Sequence, residues 1–142
     1  MSESYDAEDL NYWRTGTSAP EVWIDKAKRE INTIEPQVVG EAFGSESGRA
    51  AFMLQFQIGG EPYRVVWPVL RSRTGNERAA RIQAATMLYH DVKHRVIQAK
   101  VFGARHAFFQ FLVLPDGRTA ATLAAPELAD RLPKLLTTGG AP

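Results

Sequence analysis

Four arginines, Arg71, Arg73, Arg78 and Arg81, crowd the helix-start signal Thr74-Gly75-Asn76-Glu77. A guanidinium grips two phosphate oxygens at once, and a helix start adds unpaired N–H groups and the positive end of the macrodipole. The grouping is therefore chemistry for a phosphate. Cations at a helix start oppose the dipole, so a purely structural role gives no reason for them. The competing reading is a solvated loop whose counter-charge comes from Glu77 and the acidic N-terminal segment. Arg49, Arg64, Lys93, Arg95 and Lys100 are the bases that would extend such a surface.

Other chemistries find less support. His90 and His94 lie one helical turn apart, a spacing that suits one metal ion, but Asp91 points away from both on the helical wheel. No metal site and no cofactor is expected. With no cysteine there is no thiolate nucleophile, disulfide or cysteine-ligated zinc. Nucleophile-elbow, P-loop and dinucleotide glycine patterns are all missing, so a non-enzymatic protein is expected. Phe108, Phe109 and Phe111 have the type that stacks bases, yet their alternation around Gln110 assigns them to the core.

The charge is unevenly spread. Residues 1–46 carry ten acids against four bases, and the remainder carries thirteen bases against six acids, although the net charge is only +1. Such asymmetry suits a surface facing a polyanion, with an acidic arm able to compete for it, or else two halves that pair within one fold. The 142 residues, 44% of them hydrophobic, suffice for one core. We read residues 1–18 as an acidic arm that is flexible unless Tyr5, Tyr12 and Trp13 dock, 19–136 as one domain and 137–142 as a flexible tail. The apolar stretches are too short to span a membrane and the first ten residues do not resemble a signal peptide, so a cytoplasmic protein is expected.

The elements that must position the arginines follow an α+β order. Ser18, Pro20 and Glu21 predict a capped N-terminal helix with a stripe of Val22, Trp23, Ala27, Ile31 and Ile34, ended by Pro36. Three antiparallel strands follow, at 37–43, 50–58 and 61–70, with a loop at 44–48 and a two-residue turn at Gly59-Gly60. Counting from that turn sets Ile58 opposite Glu61, Phe56 opposite Tyr63, Leu54 opposite Val65 and Phe52 opposite Trp67, which makes this face the core. Gln55 then faces Arg64 on the other side, and Pro68 marks an edge or an end. A long helix begins at the Thr74 to Glu77 signal, buries Ala80, Ala84, Ala85, Leu88, Val92, Val96 and Ala99, and stops at Gly103. A C-terminal β-hairpin of 107–114 and 119–123 around Pro115-Asp116-Gly117, then a short helix at 127–136, complete the layout.

The order helix, three strands, helix, with Glu77-Arg78-Ala79-Ala80-Arg81-Ile82-Gln83-Ala84-Ala85, resembles the double-stranded-RNA-binding domain, whose second helix opens Lys-Lys-x-Ala-Lys-x-x-Ala-Ala. That resemblance implies that Arg78 and Arg81 meet phosphates across a groove, although Glu77 replaces the first lysine. The same order, with a basic helix ending in Phe102-Gly103, also resembles Rad52-like single-strand annealing proteins and implies DNA annealing or recombination within an oligomer. It is likewise similar to restriction-endonuclease-like nucleases, but the strands at 50–58 and 63–67 carry no carboxylate, and Glu41 and Glu61 alone do not build a two-acid magnesium site. The expected partner is DNA or RNA. The alternative is a protein-interaction module, an inhibitor or assembly factor, using the acidic arm, the hairpin edge, or a patch of Met53, Val66, Tyr12 and Trp13 for a protein partner or for self-association.

Overall fold

Gly59 and Gly60 both adopt positive φ, 61° and 79°, which a two-residue primed turn needs and side chains with a Cβ resist. The computed structural model, which describes residues 5–35, 38–46 and 48–122, joins β2 (Arg49–Ile58) and β3 (Glu61–Pro68) through that turn. The antiparallel register sets Ile58 opposite Glu61, Phe56 opposite Tyr63, Leu54 opposite Val65 and Phe52 opposite Trp67, as counting predicts. β1 (Val38–Glu46) pairs with the other side of β2, giving a three-stranded meander in the order β1-β2-β3. β1 runs past residue 43 because Gly44 and Ser45 still pair with Ala51 and Ala50. Ladder hydrogen bonds use backbone alone, so the strand takes up 44–46 of the loop expected at 44–48.

α1 (Pro20–Asn32) and α2 (Glu77–Phe102) pack side by side, and their apolar stripes close over the sheet. Ile24, Ala27 and Ile31 of α1 meet Phe52, Leu54, Phe56 and Val65 of the sheet in one core. Every residue of the expected α2 stripe is buried, from Ala80 to Ala99. The alanines at its start allow close approach, and Leu88, Val92 and Val96 fill the centre. Both cap assignments shift. α1 begins after Ala19, whose side chain makes no capping bond, so the Ser18 capping box does not form. α2 is capped by Asn76, whose Oδ1 accepts from the Ala79 N–H at 3.1 Å, because Thr74 is engaged elsewhere.

Gly103 (φ 103°) ends α2 and donates its N–H to Ala99 O. A short α3 (Ala104–Phe108) and a single 3₁₀ turn (Phe109–Phe111) follow at once, so residues 107–111 are helical rather than the first strand of a hairpin. Two interactions favour the helical path. The Arg95 guanidinium donates to Ala107 O at 2.8 Å and to Gln110 Oε1 at 3.0 Å, while Phe108 drives edge-on against Phe56, with ring centroids 5.3 Å apart. Phe108 and Phe111 are core, but through the three-residue spacing of a helical path rather than strand alternation, and Phe109 is partly buried against it. What remains of the hairpin is the turn at Pro115-Asp116-Gly117, closed by a lone Val113–Thr119 bridge, with Leu112 bridged to Tyr63 on the β3 edge. The expected helix at 127–136 and tail at 137–142 lie outside the described residues.

The acidic N-terminal segment docks on α2. Its 3₁₀ turn Ala7–Asp9 is held by the buried Gln83, whose side-chain amide donates to Ala7 O at 2.8 Å and Asn11 O at 2.9 Å. Tyr12 then stacks flat on His90, 4.9 Å between centroids, and both Tyr12 (φ 68°) and Arg14 (φ 54°) are left-handed. A non-glycine residue holds that conformation only where its surroundings over-determine it. Replacing the amide, as in Gln83→Leu, removes the side-chain donor from the Ala7, Leu10 and Asn11 carbonyls, of which Ala7 O keeps the Leu10 N–H. The expected loss is about 1–3 kcal/mol in urea-melt stability, with faster proteolytic nicking before residue 19.

Candidate nucleic-acid interface

The loop ahead of α2 is shaped by a carboxylate from the arm. Glu8 accepts from Ser72 Oγ and Thr74 Oγ1, each at 2.5 Å, and from the backbone N–H groups of Arg73 and Thr74 at 3.1 and 3.2 Å. Ser72 Oγ in turn accepts the Asn76 N–H at 3.0 Å. The arm thus reaches the helix cap through one relay. Partial desolvation pushes the Glu8 carboxyl up, but the hydrogen bonds from Ser72, Thr74 and the Arg73 backbone outweigh it and hold the group down at about 2. Beside it, Asp9 lies 2.8 Å from the Arg73 guanidinium, and that bond and the Asp6 N–H hold its carboxyl below the usual range.

The four arginines expected to act together therefore separate. Arg73 is committed to Asp9, with Asp6 at 3.9 Å. Arg71 lies 3.8 Å from Asp6 with its side chain 86% exposed, so its fork remains open to solvent. Arg78, Arg81 and Arg49 form no ion pair with the described residues, and all three are exposed. Asn76 already takes one free N–H of the helix start and Gly75 O takes that of Glu77, so guanidiniums, more than bare helix amides, are what this corner offers an anion.

These side chains border a run of depressions that share lining residues. The largest, about 570 Å³, lies between the β1–β2 end and the α2 start and is lined by Arg49, Arg71, Arg81, Glu77 and Phe43 among others. Phe43 and Arg81 also border the next, about 360 Å³, which reaches Glu21 and Glu41. Arg81 continues with Arg78 into a third of about 290 Å³, and Arg78 leads to a fourth of about 400 Å³ that reaches Arg14. Five arginines thus follow one track past three carboxylates. Of these, Glu41 is tied to Lys28 at 2.5 Å, while Glu21 and Glu77 sit in the first turns of α1 and α2, where the helix dipole favours them.

The other expected bases fall elsewhere. Arg64 donates to Gly117 O at 2.7 Å and fastens the C-terminal turn to β3. Arg95 pairs with Asp91 at 2.8 Å and lies over the Phe111 ring, serving the α3 junction. Lys93 lies 5.9 Å from the Tyr89 ring. Lys100 is exposed in the last turn of α2, about 30 Å from Arg78 at 1.5 Å per helical residue. His90 stacks with Tyr12, and among the described residues no cluster of three or more His, Asp or Glu is arranged to hold a metal ion. Glu61, the other acid considered for a magnesium site, is bound by Arg105, whose hydrogen bonds hold its carboxyl low.

Four residues of this corner were not legible from their types: Glu8, Gln83, Arg14 and Phe43. Glu8 and Gln83 act across 64 and 76 residues of sequence, beyond any local pattern. Phe43 was readable in principle, since extending the meander register places it opposite Phe52.

The low Glu8 titration has a signed consequence. Its contribution to stability is complete above the ordinary glutamate value of 4.5 and is lost as pH falls through about 2. Between those values the urea midpoint of the wild type should fall more steeply than that of Glu8→Gln, and the Glu8 carboxyl NMR signal should titrate near 2. A Glu8 midpoint at the ordinary value would show that the relay does not persist in solution. Comparison with protein-family models, curated proteins and solved structures finds no match to this chain.

Proposed function

We propose that this protein is a non-enzymatic nucleic-acid-binding module that contacts the phosphate backbone through the arginine track beside the α2 start, with DNA annealing or recombination as its setting. The observation that carries the reading is the continuity of the track: Arg14, Arg78, Arg81, Arg49 and Arg71 border depressions that share residues from one to the next. A compact ligand would need one basic pocket, whereas a repeating anion is matched by spaced guanidiniums along a path. The helix, three-strand, helix order on which the family resemblances rest agrees with it. Lys93 and Lys100 are retained as outlying contacts, while Arg64, Arg73 and Arg95 support the frame.

A phosphate contact must be salt-sensitive. Fluorescence anisotropy against single- and double-stranded DNA and RNA at two salt concentrations should show affinity falling steeply with salt. The Arg78→Ala/Arg81→Ala pair should flatten the log–log slope by about 1.4 to 1.8. Absence of salt-sensitive binding to every one of these polymers would refute the reading.

A second reading, a protein contact through self-association, draws support from the far end of α2. Ile97, Val101 and Phe102 are 54%, 68% and 66% exposed there, an apolar group that water alone does not favour. Sedimentation should then show a dimer that the uncharged Val101→Ser weakens without altering polynucleotide binding; a wild-type monomer at high concentration would exclude it.

A further inference from the structure

Phe43 stands at the crossing of two depressions of the arginine track. It belongs to the strand face that α1 and α2 cover, since its register partner Phe52 is buried, yet its own ring is 48% exposed. One side is backed by Phe52, with centroids 4.7 Å apart and planes tilted 49°. The Arg81 guanidinium carbon lies 6.0 Å from the ring centroid, at the limit of a cation–π contact. Shielding Phe52 accounts for the backed side but not for an open ring between guanidiniums.

We propose that Phe43 is a stacking platform for an unpaired base and that the ligand of the track is therefore single-stranded nucleic acid. The inference rests on the phosphate-binding reading above and deepens it. A π-face amid exposed arginines matches both halves of a nucleotide, the base by stacking and the phosphate by charge. In a duplex the base faces are stacked on one another and only edges and backbone are presented, so a ring recessed among depressions has nothing to stack on. Phe52 behind it holds the platform rigid, which lowers the ordering cost of binding. Arg81 serves both halves, because it borders three depressions of the track as well as the ring.

The test uses the full chain and labelled oligothymidylate, oligouridylate and a DNA duplex of equal length, by anisotropy at two salt concentrations. The wild type should bind at least one single strand more tightly than the duplex. Phe43→Leu, which keeps apolar cover on Phe52 but removes the π-face, should weaken single-strand binding about tenfold with the salt slope unchanged, and Phe43→Tyr should restore it. The Arg49→Ala/Arg81→Ala pair should flatten the salt slope instead. A duplex bound at least as tightly as both single strands, or a Phe43→Leu variant that binds like the wild type while the arginine pair still matters, would overturn the platform and leave the phosphate reading standing. No salt-sensitive binding to any probe would remove both.

Discussion

The Glu8 carboxylate is the contact on which the arrangement of the basic corner depends. Its four hydrogen bonds close the 72–74 loop, and through Ser72 Oγ that loop reaches Asn76, the residue that starts α2. The buried stripe of α2 sets which side of the helix Arg78 and Arg81 occupy, and the loop decides where Arg71 emerges. Glu8 itself is placed by Gln83, which fixes the arm carbonyls from within the helix. Arm, loop and helix start are therefore one hydrogen-bonded unit, and the acidic segment builds the basic surface as much as it neutralises it.

That answers a question posed by the uneven charge. Two extremes were open: an arm competing with a polyanion, or two halves that simply cancel. The structure divides the labour among individual side chains. Asp9 and Asp6 take Arg73, Lys28 takes Glu41, and Arg105 takes Glu61, while Arg49, Arg78 and Arg81 are left facing the depressions. Surface pairs of this kind add little stability each. Their larger effect is to settle which guanidiniums remain open to solvent.

Much of the fold was legible because its signals are local and redundant. The Gly59-Gly60 turn fixes the register by counting, period-two alternation names the core face, and the alanine-to-valine stripe defines α2. The failures are equally physical. Residues 107–111 look like a strand because they are short, apolar and aromatic, but Arg95 supplies a partner for Ala107 O that only the folded chain provides. At the caps, Thr74 fits the pattern yet is drawn to Glu8, and Asn76 takes its place. The basic cluster was visible as a composition. Its division into committed and open arginines was not, because the carboxylates that decide it arrive from more than sixty residues away.

That separation bears on how the chain is made. The arm leaves the ribosome before its partners, since Ser72 and Gln83 follow 64 and 76 residues behind Glu8 and Ala7. Closing so long a loop is entropically costly, and contacts of this range form late in folding. The hairpin can therefore assemble while the acidic segment still has nowhere to bind, and the arginine corner takes its shape only once the arm returns to a helix start made much later. An N-terminal truncation would disturb that corner without altering a single one of its arginines.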